Sequence, residues 1–233
     1  MDIQILHMID GARQATGLTV IIDVFRAMTV ETYLMRNHAQ RIIPVGDMQI
    51  AFDYKAQHPD TTILCGERKG VMIEGFNFGN SPSQLEGVDL TGKTVIHTTS
   101  AGTQGFANAL NADELIGGSL VNAKAIAAYI KQKNPDTVSL VCMGLNAKEQ
   151  TQEDNLCAYY IKSLLEGNPL PDIEQQMNDL RYTSGAKFFD PQQQDVFPEQ
   201  DFHLSIALNT CGFILRLKRS PDGLHYMERI DLL

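Results

Sequence analysis

Positive charge is scarce in this 233-residue chain: 19 Lys and Arg stand against 28 Asp and Glu, for a formal net charge of -9. Such a field repels nucleic acid and anionic membrane, so neither is expected as a partner. Long apolar runs are missing too. No segment approaches the roughly 20 residues that span a bilayer, and Met1–His7 lacks a basic stretch leading into an apolar one, so a cytoplasmic protein is expected. The cysteines are few and scattered (Cys65, Cys142, Cys157, Cys211), with no C-x-x-C pair. They read as reduced, buried thiols rather than zinc ligands or a redox pair. None is followed six residues later by Arg, which excludes a cysteine-phosphatase loop. Neither a nucleotide-binding loop nor a dinucleotide fingerprint is expected.

Against these absences, one stretch concentrates chemistry. Leu18–Ile22 is an apolar, largely β-branched run of the kind a buried parallel strand shows. Asp23 falls at its carboxyl end, where open α/β sheets place their ligand crevice. A carboxylate there can take Mg²⁺, a hard cation that prefers oxygen ligands and keeps water and phosphate in its shell. It can equally cap the helix predicted from Ala27. Arg26 can grip a phosphate or sulfonate with its fork of donors, or sit in a structural ion pair, for which Asp23 is a ready partner. Thr29 falls inside the helix.

Three more segments follow predicted strands. Gly66–Gly70 (GERKG) brackets Glu67, Arg68 and Lys69 between glycines that permit a tight turn. Gly75–Pro82 (GFNFGNSP) offers Asn77, Asn80 and Ser81 as amide and hydroxyl groups, with Phe76 and Phe78 as core anchors. Thr98–Thr103 (TTSAGT) opens a predicted helix, where hydroxyls and free N–H groups make an anion site; N-capping by Thr99 or Ser100 is the alternative. Farther on, Glu153 and Asp154 either add metal ligands or serve their own helix through the Thr151/Asp154 capping-box spacing and the macrodipole. Of the two, Asp154 is preferred. His97 reads as packed, and no two of the six histidines have metal-ligand spacing.

Together these segments resemble the 2-phosphosulfolactate phosphatase family over about residues 18 to 160. The resemblance implies a Mg²⁺-dependent hydrolase of coenzyme M biosynthesis that converts 2-phospho-3-sulfolactate into 3-sulfolactate and phosphate. Carried onto this chain, it makes Asp23, Arg26 and Glu67 catalytic. Arg68, Asn80, Ser81, Thr98, Thr99, Ser100, Gly102 and Thr103 become substrate contacts, and Asp23, Glu67, Glu153 and Asp154 metal ligands. Two positions depart from the family: Ser100 stands where Asn is usual, and Asn209 near where an acid is expected. A phosphatase for another small phosphorylated acid, and a non-catalytic module binding a phosphorylated metabolite, are the alternatives. A haloacid-dehalogenase-type mechanism would need a second Asp two residues after Asp23, and Phe25 stands there.

The alternation of segments predicts an α/β fold, a three-layer α/β/α arrangement with a largely parallel sheet. Strands are expected at Ile3–His7, Leu18–Asp23, Arg41–Val45, Thr62–Cys65, Thr94–Thr98, Glu114–Ile116 and Thr137–Met143. Helices are expected at Ala27–Asn37, Met48–Gln57, Gly102–Leu110, Asn122–Lys133 and Gln152–Glu166. Residues 167–200 hold four of the nine prolines and read as loops with short helices. A helix at Pro198–Leu208 and a hairpin of Gly212–Lys218 and Leu224–Ile230, turning at Ser220–Gly223, complete the chain. The expectation is a single unit over 1–233; two similar α/β halves dividing near 90–120 are the other reading. A homodimer is an open arrangement.

Overall fold

Apolar strands and amphipathic helices alternate through most of the chain. The computed structural model describes residues 1–220 and 223–232. The elements run β1 (Asp2–His7), α1 (Met8–Gln14), β2 (Gly17–Ile22), α2 (Ala27–Arg36), β3 (Arg41–Pro44), α3 (Met48–Gln57), β4 (Thr62–Arg68) and β5 (Val71–Met72). They continue with β6 (Thr94–Thr98), α4 (Gly102–Asn108), β7 (Ala112–Gly118), α5 (Ala123–Lys133), β8 (Thr137–Cys142), α6 (Gln152–Glu166), α7 (Ile173–Asp179), α8 (Glu199–Ser205), β9 (Phe213–Lys218) and β10 (Tyr226–Asp231).

Among the described residues, ten strands form one sheet in the order β1-β8-β2-β7-β9-β10-β3-β6-β4-β5. β1, β8, β2 and β7 are mutually parallel, as are β3, β6 and β4. The C-terminal hairpin β9–β10 lies between these sets, antiparallel to β7 on one side and β3 on the other. Three antiparallel steps therefore reverse the second set relative to the first. Residues at the carboxyl ends of β2, β8, β4 and β6 nevertheless line one cavity, in keeping with the right-handed twist that rotates successive strands of a sheet by roughly 20–25° each.

Alternate residues of each strand feed opposite faces, giving the three layers. Ile21, Val141 and Leu215 join Ala12 of α1, Met28, Val30 and Leu34 of α2 and Phe106 of α4 on one face. Val20, Ile22, Leu140 and Ile214 join Ile126 of α5, Cys157 and Ile161 of α6, Met177 of α7 and Phe202 of α8 on the other. Under the second parallel set, Ile43, Leu64 and Ile96 pack with Ala51 of α3 and Phe76. The four cysteines are buried and free, as expected of small apolar thiols. Among the described residues no helix is long and apolar enough to cross a membrane.

Helix α4 reaches the sheet through glycine. A Cβ on Gly105 would lie 2.5 Å from Ile21 Cγ2 and 2.8 Å from Met143 Sδ. Gly105→Ala is therefore expected to be destabilising, because overpacking costs about 1–3 kcal/mol and the helix-propensity gain over Gly returns only about 1. A thermal melt checks it; a variant as stable as the parent would mean that α4 shifts freely.

Several elements differ from expectation. α1 escapes sequence reading because seven residues are too short to display a helical period. α7, also seven residues, lies in the proline-rich stretch. β4 runs on through Glu67 and Arg68 and turns at Lys69–Gly70 into β5, so GERKG is the tip of a hairpin rather than a loop after a finished strand. The string Gly87–Thr94 (GVDLTGKT) does carry P-loop spacing, contrary to the expectation that none is present. It leads into strand β6 rather than a helix, and Lys93 Nζ donates to Asp60 O at 2.9 Å, so it does not form a phosphate cradle. In the hairpin turn, Gly223 N donates to Ser220 O at 3.1 Å. Pro221 and Asp222 of that predicted turn lie outside the described residues.

Candidate active site at the converging strand ends

The cavity measures about 460 Å³ and opens where β2, β4, β6 and β8 end. Four carboxylates line it, Asp23, Glu67, Glu153 and Asp154, exposed by only 6%, 6%, 3% and 2%. So many buried acids are costly unless each is neutralised, hydrogen-bonded or given a cation.

Each acid is held differently. Asp23 Oδ1 accepts from Ala27 N at 3.0 Å, so it does cap α2 while lining the cavity. Burial, with Glu67 and Glu153 adding repulsion, raises its pKa from 3.8 to about 6, against the lowering effect of the Ala27 bond. Glu67 clasps two loops together: Oε1 accepts from Ser100 N at 2.6 Å and Oε2 from Gly70 N at 2.6 Å. Asp154 joins the β2 and β8 ends, with Oδ1 accepting from Val24 N and Oδ2 from Gly144 N, both at 2.8 Å. Burial, Glu153 and Asp23 push its pKa well up. Glu153 differs from all three, because its buried Oε2 has no hydrogen-bond partner. The predicted Thr151 cap is not made, so both acids of the α6 first turn face the cavity instead.

Arg26 is committed. Its Nη1 donates to Asp201 Oδ2 at 2.6 Å and to Val196 O at 2.9 Å, and Nη2 to Gly70 O at 3.4 Å. Both members of the pair are buried, with side-chain exposures of 3% and 0%. The ion pair weighed in the sequence forms with Asp201 rather than Asp23. The other oxygen of Asp201 accepts from Ser81 Oγ and Ser83 N, which places Ser81 behind the site rather than in it. Arg68 Nη2 donates to Thr98 Oγ1 at 2.9 Å.

Of the Thr98–Thr103 segment, Ser100 and Ala101 line the cavity. Thr99 and Thr103 bond reciprocally, each hydroxyl accepting from the other's backbone N–H at 3.2 and 3.1 Å; the N-cap position of α4 is Ala101 rather than the expected Thr99 or Ser100, although Thr99 still satisfies a first-turn N–H. Gly102 serves proximity: a Cβ there would meet Ala27 Cβ at 2.6 Å and Asp23 Oδ2 at 3.0 Å. Asn80 lines the cavity, its Oδ1 3.3 Å from His97 Nε2, and His97 Nδ1 lies 2.9 Å from Glu31 Oε1. His97 and Glu31 are fully buried, in keeping with a packed histidine.

The remaining wall comes from residues that sequence reading passed over: Gly144–Asn146, Lys148, Lys187 and Phe197. Lys187 and Phe197 belong to the proline-rich stretch, which thereby supplies part of the cavity wall. Asp201 was hidden in a predicted helix, and its partner lies 175 residues away. No local signal announces such a pairing.

Among the described residues no three His, Cys, Asp or Glu side chains form a ready-made metal cluster. Mg²⁺ makes a smaller demand, one or two carboxylates plus phosphate and water. An all-oxygen donor set with an unpartnered buried oxygen on Glu153 fits that demand.

The profile of the family described as 2-phosphosulpholactate phosphatase matches residues 4–198, a span that contains every cavity residue from Asp23 to Phe197. A Bacillus subtilis (strain 168) protein named "Probable 2-phosphosulfolactate phosphatase" is 32% identical over 208 residues, 88% of this chain and 89% of its own. A Clostridium perfringens (strain SM101 / Type A) protein of the same name is 32% identical over 205 residues, 86% of this chain and 80% of its own. Another, from Caldicellulosiruptor saccharolyticus, is 40% identical over 158 residues, covering 66% and 64%.

Proposed function

The chain belongs to the 2-phosphosulpholactate phosphatase family, and from that premise we propose that its cavity hydrolyses 2-phosphosulfolactate to sulfolactate and phosphate with Mg²⁺ as cofactor. The observation that carries the reading is the convergence of four buried carboxylates, one with an unpartnered oxygen, in a cavity that basic side chains also line.

Asp23 and Glu153 would hold the ion, since both oxygens of Asp154 and of Glu67 already accept loop N–H groups. When bound, Mg²⁺ polarises a phosphoryl oxygen and makes water more acidic. Glu67 and Asp154 keep the four strand-end loops in register, so the reacting groups need little reorganisation. Ser100 and Asn80 offer polar contacts to the ester, and Arg68 adds charge near the Thr98 end. Phe25 and Phe197 form apolar wall that limits water and strengthens each charge interaction inside. In this reading the enzyme works in coenzyme M biosynthesis in the cytoplasm.

The test is phosphate release from racemic 2-phosphosulfolactate, phospholactate and an aryl phosphate, with Mg²⁺ or EDTA. Turnover confined to the sulfonated ester and suppressed by about 100-fold or more on chelation is expected. Equal turnover of phospholactate would shift the substrate to another phosphorylated acid, a change in which Ser100 is the first residue to examine. Release from no ester would leave a binding module.

A further inference from the structure

We propose that Lys187 is a catalytic residue of this cavity, its ammonium neutralising the phosphoryl group as negative charge shifts in the transition state. The proposal rests on the phosphatase reading above and adds to it a cation that neither the motifs nor the family resemblance pointed to.

Most positive charges around the cavity are already engaged or exposed. Arg26 is neutralised by Asp201 and ties down Val196 and Gly70. Arg68 bonds Thr98 Oγ1 and its neighbour's carbonyl, Glu67 O, at 2.9 and 2.7 Å. Lys69 and Lys148 line the cavity but are exposed at its rim. Lys187 is the half-buried lysine of the set. Among the described residues its ammonium has no hydrogen bond and no ion pair, and Nζ lies 5.5 Å from the Phe188 ring centre and 5.1 Å from that of Phe197.

A partly dehydrated ammonium with only ring faces for company has lost acceptors without replacing them. The acids it feels most are those of the reacting centre, Glu153 foremost, then Asp23 and Asp154, with Arg26 opposing them. Burial lowers its proton affinity, and Glu153 partly restores it. The oxygens of a phosphate ester are the acceptors this position lacks.

The lysine is also held in place before substrate arrives. Phe188 is fully buried, 5.0 Å centre to centre from Phe25 and 5.8 Å from Phe197. Phe197 lies over Gly70, whose φ of +85° and lack of a side chain admit the ring; a Cβ there would sit 2.5 Å from Cζ. Val196 O is bonded to Arg26. The segment carrying Lys187 is thus pinned on both sides, the condition under which a fixed charge contributes most to catalysis.

Lys187→Met and Lys187→Arg test the role with two readouts: kcat and KM for 2-phosphosulfolactate with Mg²⁺, and the rise in melting temperature on adding inorganic phosphate with Mg²⁺. The Met variant, which preserves length and removes charge, is expected to lose about 10²–10³ in kcat/KM, chiefly in kcat, and most of the phosphate-induced rise. The Arg variant should retain more of both, and each variant should melt near the parent without ligand. A Met variant within about threefold of the parent in kcat/KM and with an undiminished phosphate response would overturn the assignment. If the parent releases no phosphate from the ester, the substrate reading fails separately. A phosphate response lost in the Met variant then still supports Lys187, whereas an equal response in both proteins, or none in either, removes it.

Discussion

Asp23→Asn is expected to lower kcat by roughly 10³ or more while raising the melting temperature of the metal-free protein. The two effects share one cause. Asn retains an oxygen that can accept from Ala27 N, so α2 keeps its cap. What disappears is a carboxylate that burial and the neighbouring Glu67 and Glu153 hold in an unfavourable charged form. The sign follows from linkage. The folded protein ionises Asp23 at about 6 and the unfolded chain near 3.8, so the folded state holds this proton more tightly. Its penalty to folding is absent below about pH 4, grows between about 4 and 6, and is complete above. The stability gain of the Asn variant should therefore be small at about pH 4 and reach a few degrees at about pH 8, at about 2–4 °C per kcal/mol for a chain of this size. Paired thermal melts in EDTA at those two pH values, with kcat in Mg²⁺, make the measurement. A variant that is less stable at both would show that Asp23 serves mainly as a cap, and one that stays active would remove it from the chemistry.

Arg26→Met should be the most destabilising substitution around the site, by about 3–5 kcal/mol, because it leaves Asp201 fully buried with a charge and no cation. Ser81 Oγ and Ser83 N would still donate to Oδ1 of Asp201, but Oδ2 would lose its partner. The double variant Arg26→Met/Asp201→Asn removes the stranded charge and is expected to recover a large part of the loss. Urea unfolding of the parent, Arg26→Met, Asp201→Asn and the double variant completes the cycle. A single-variant loss under about 1 kcal/mol would mean that water reaches Asp201 and the pair acts as a surface one. Arg26→Lys keeps the charge but loses the second nitrogen, Nη2, that donates to Gly70 O while Nη1 serves Val196 and Asp201, so a partial loss is expected.

The extent to which this protein can be read from its sequence differs between elements. α3 and α6 have the predicted bounds Met48–Gln57 and Gln152–Glu166, α6 because its fifteen residues display a helical period and α3 because its flanks are clear, with Asp47 capping its start. Apolar runs located the seven parallel strands, and a hydrophilic break after Ile22 put Asp23 at a strand end. By contrast, the placement of β9–β10 between the parallel sets has no trace in local pattern, since a hairpin looks the same at an edge or in the middle of a sheet.

The site divides along the same line. Strand ends and helix starts, read together with the family resemblance, pointed to the loops that line the cavity: an acid after β2, an acid near the end of β4, a hydroxyl-rich turn after β6 and paired acids opening α6. Those are local matters of strand ends and helix starts, set by periodicity and by which side chains can end an apolar run. Only the tertiary structure decided which groups are engaged and which are left facing the cavity. It spent Arg26 on Asp201, turned Thr99 and Thr103 on each other, bound both oxygens of Asp154 and left Glu153 Oε2 without a partner. It also carried Lys187 and Phe197 from a proline-rich stretch to the cavity wall. The physical reason is that a hydrogen bond or ion pair depends on distance in space. Sheet twist and the docking of the C-terminal segment set those distances across 130 residues between Val24 and Asp154 and 175 between Arg26 and Asp201.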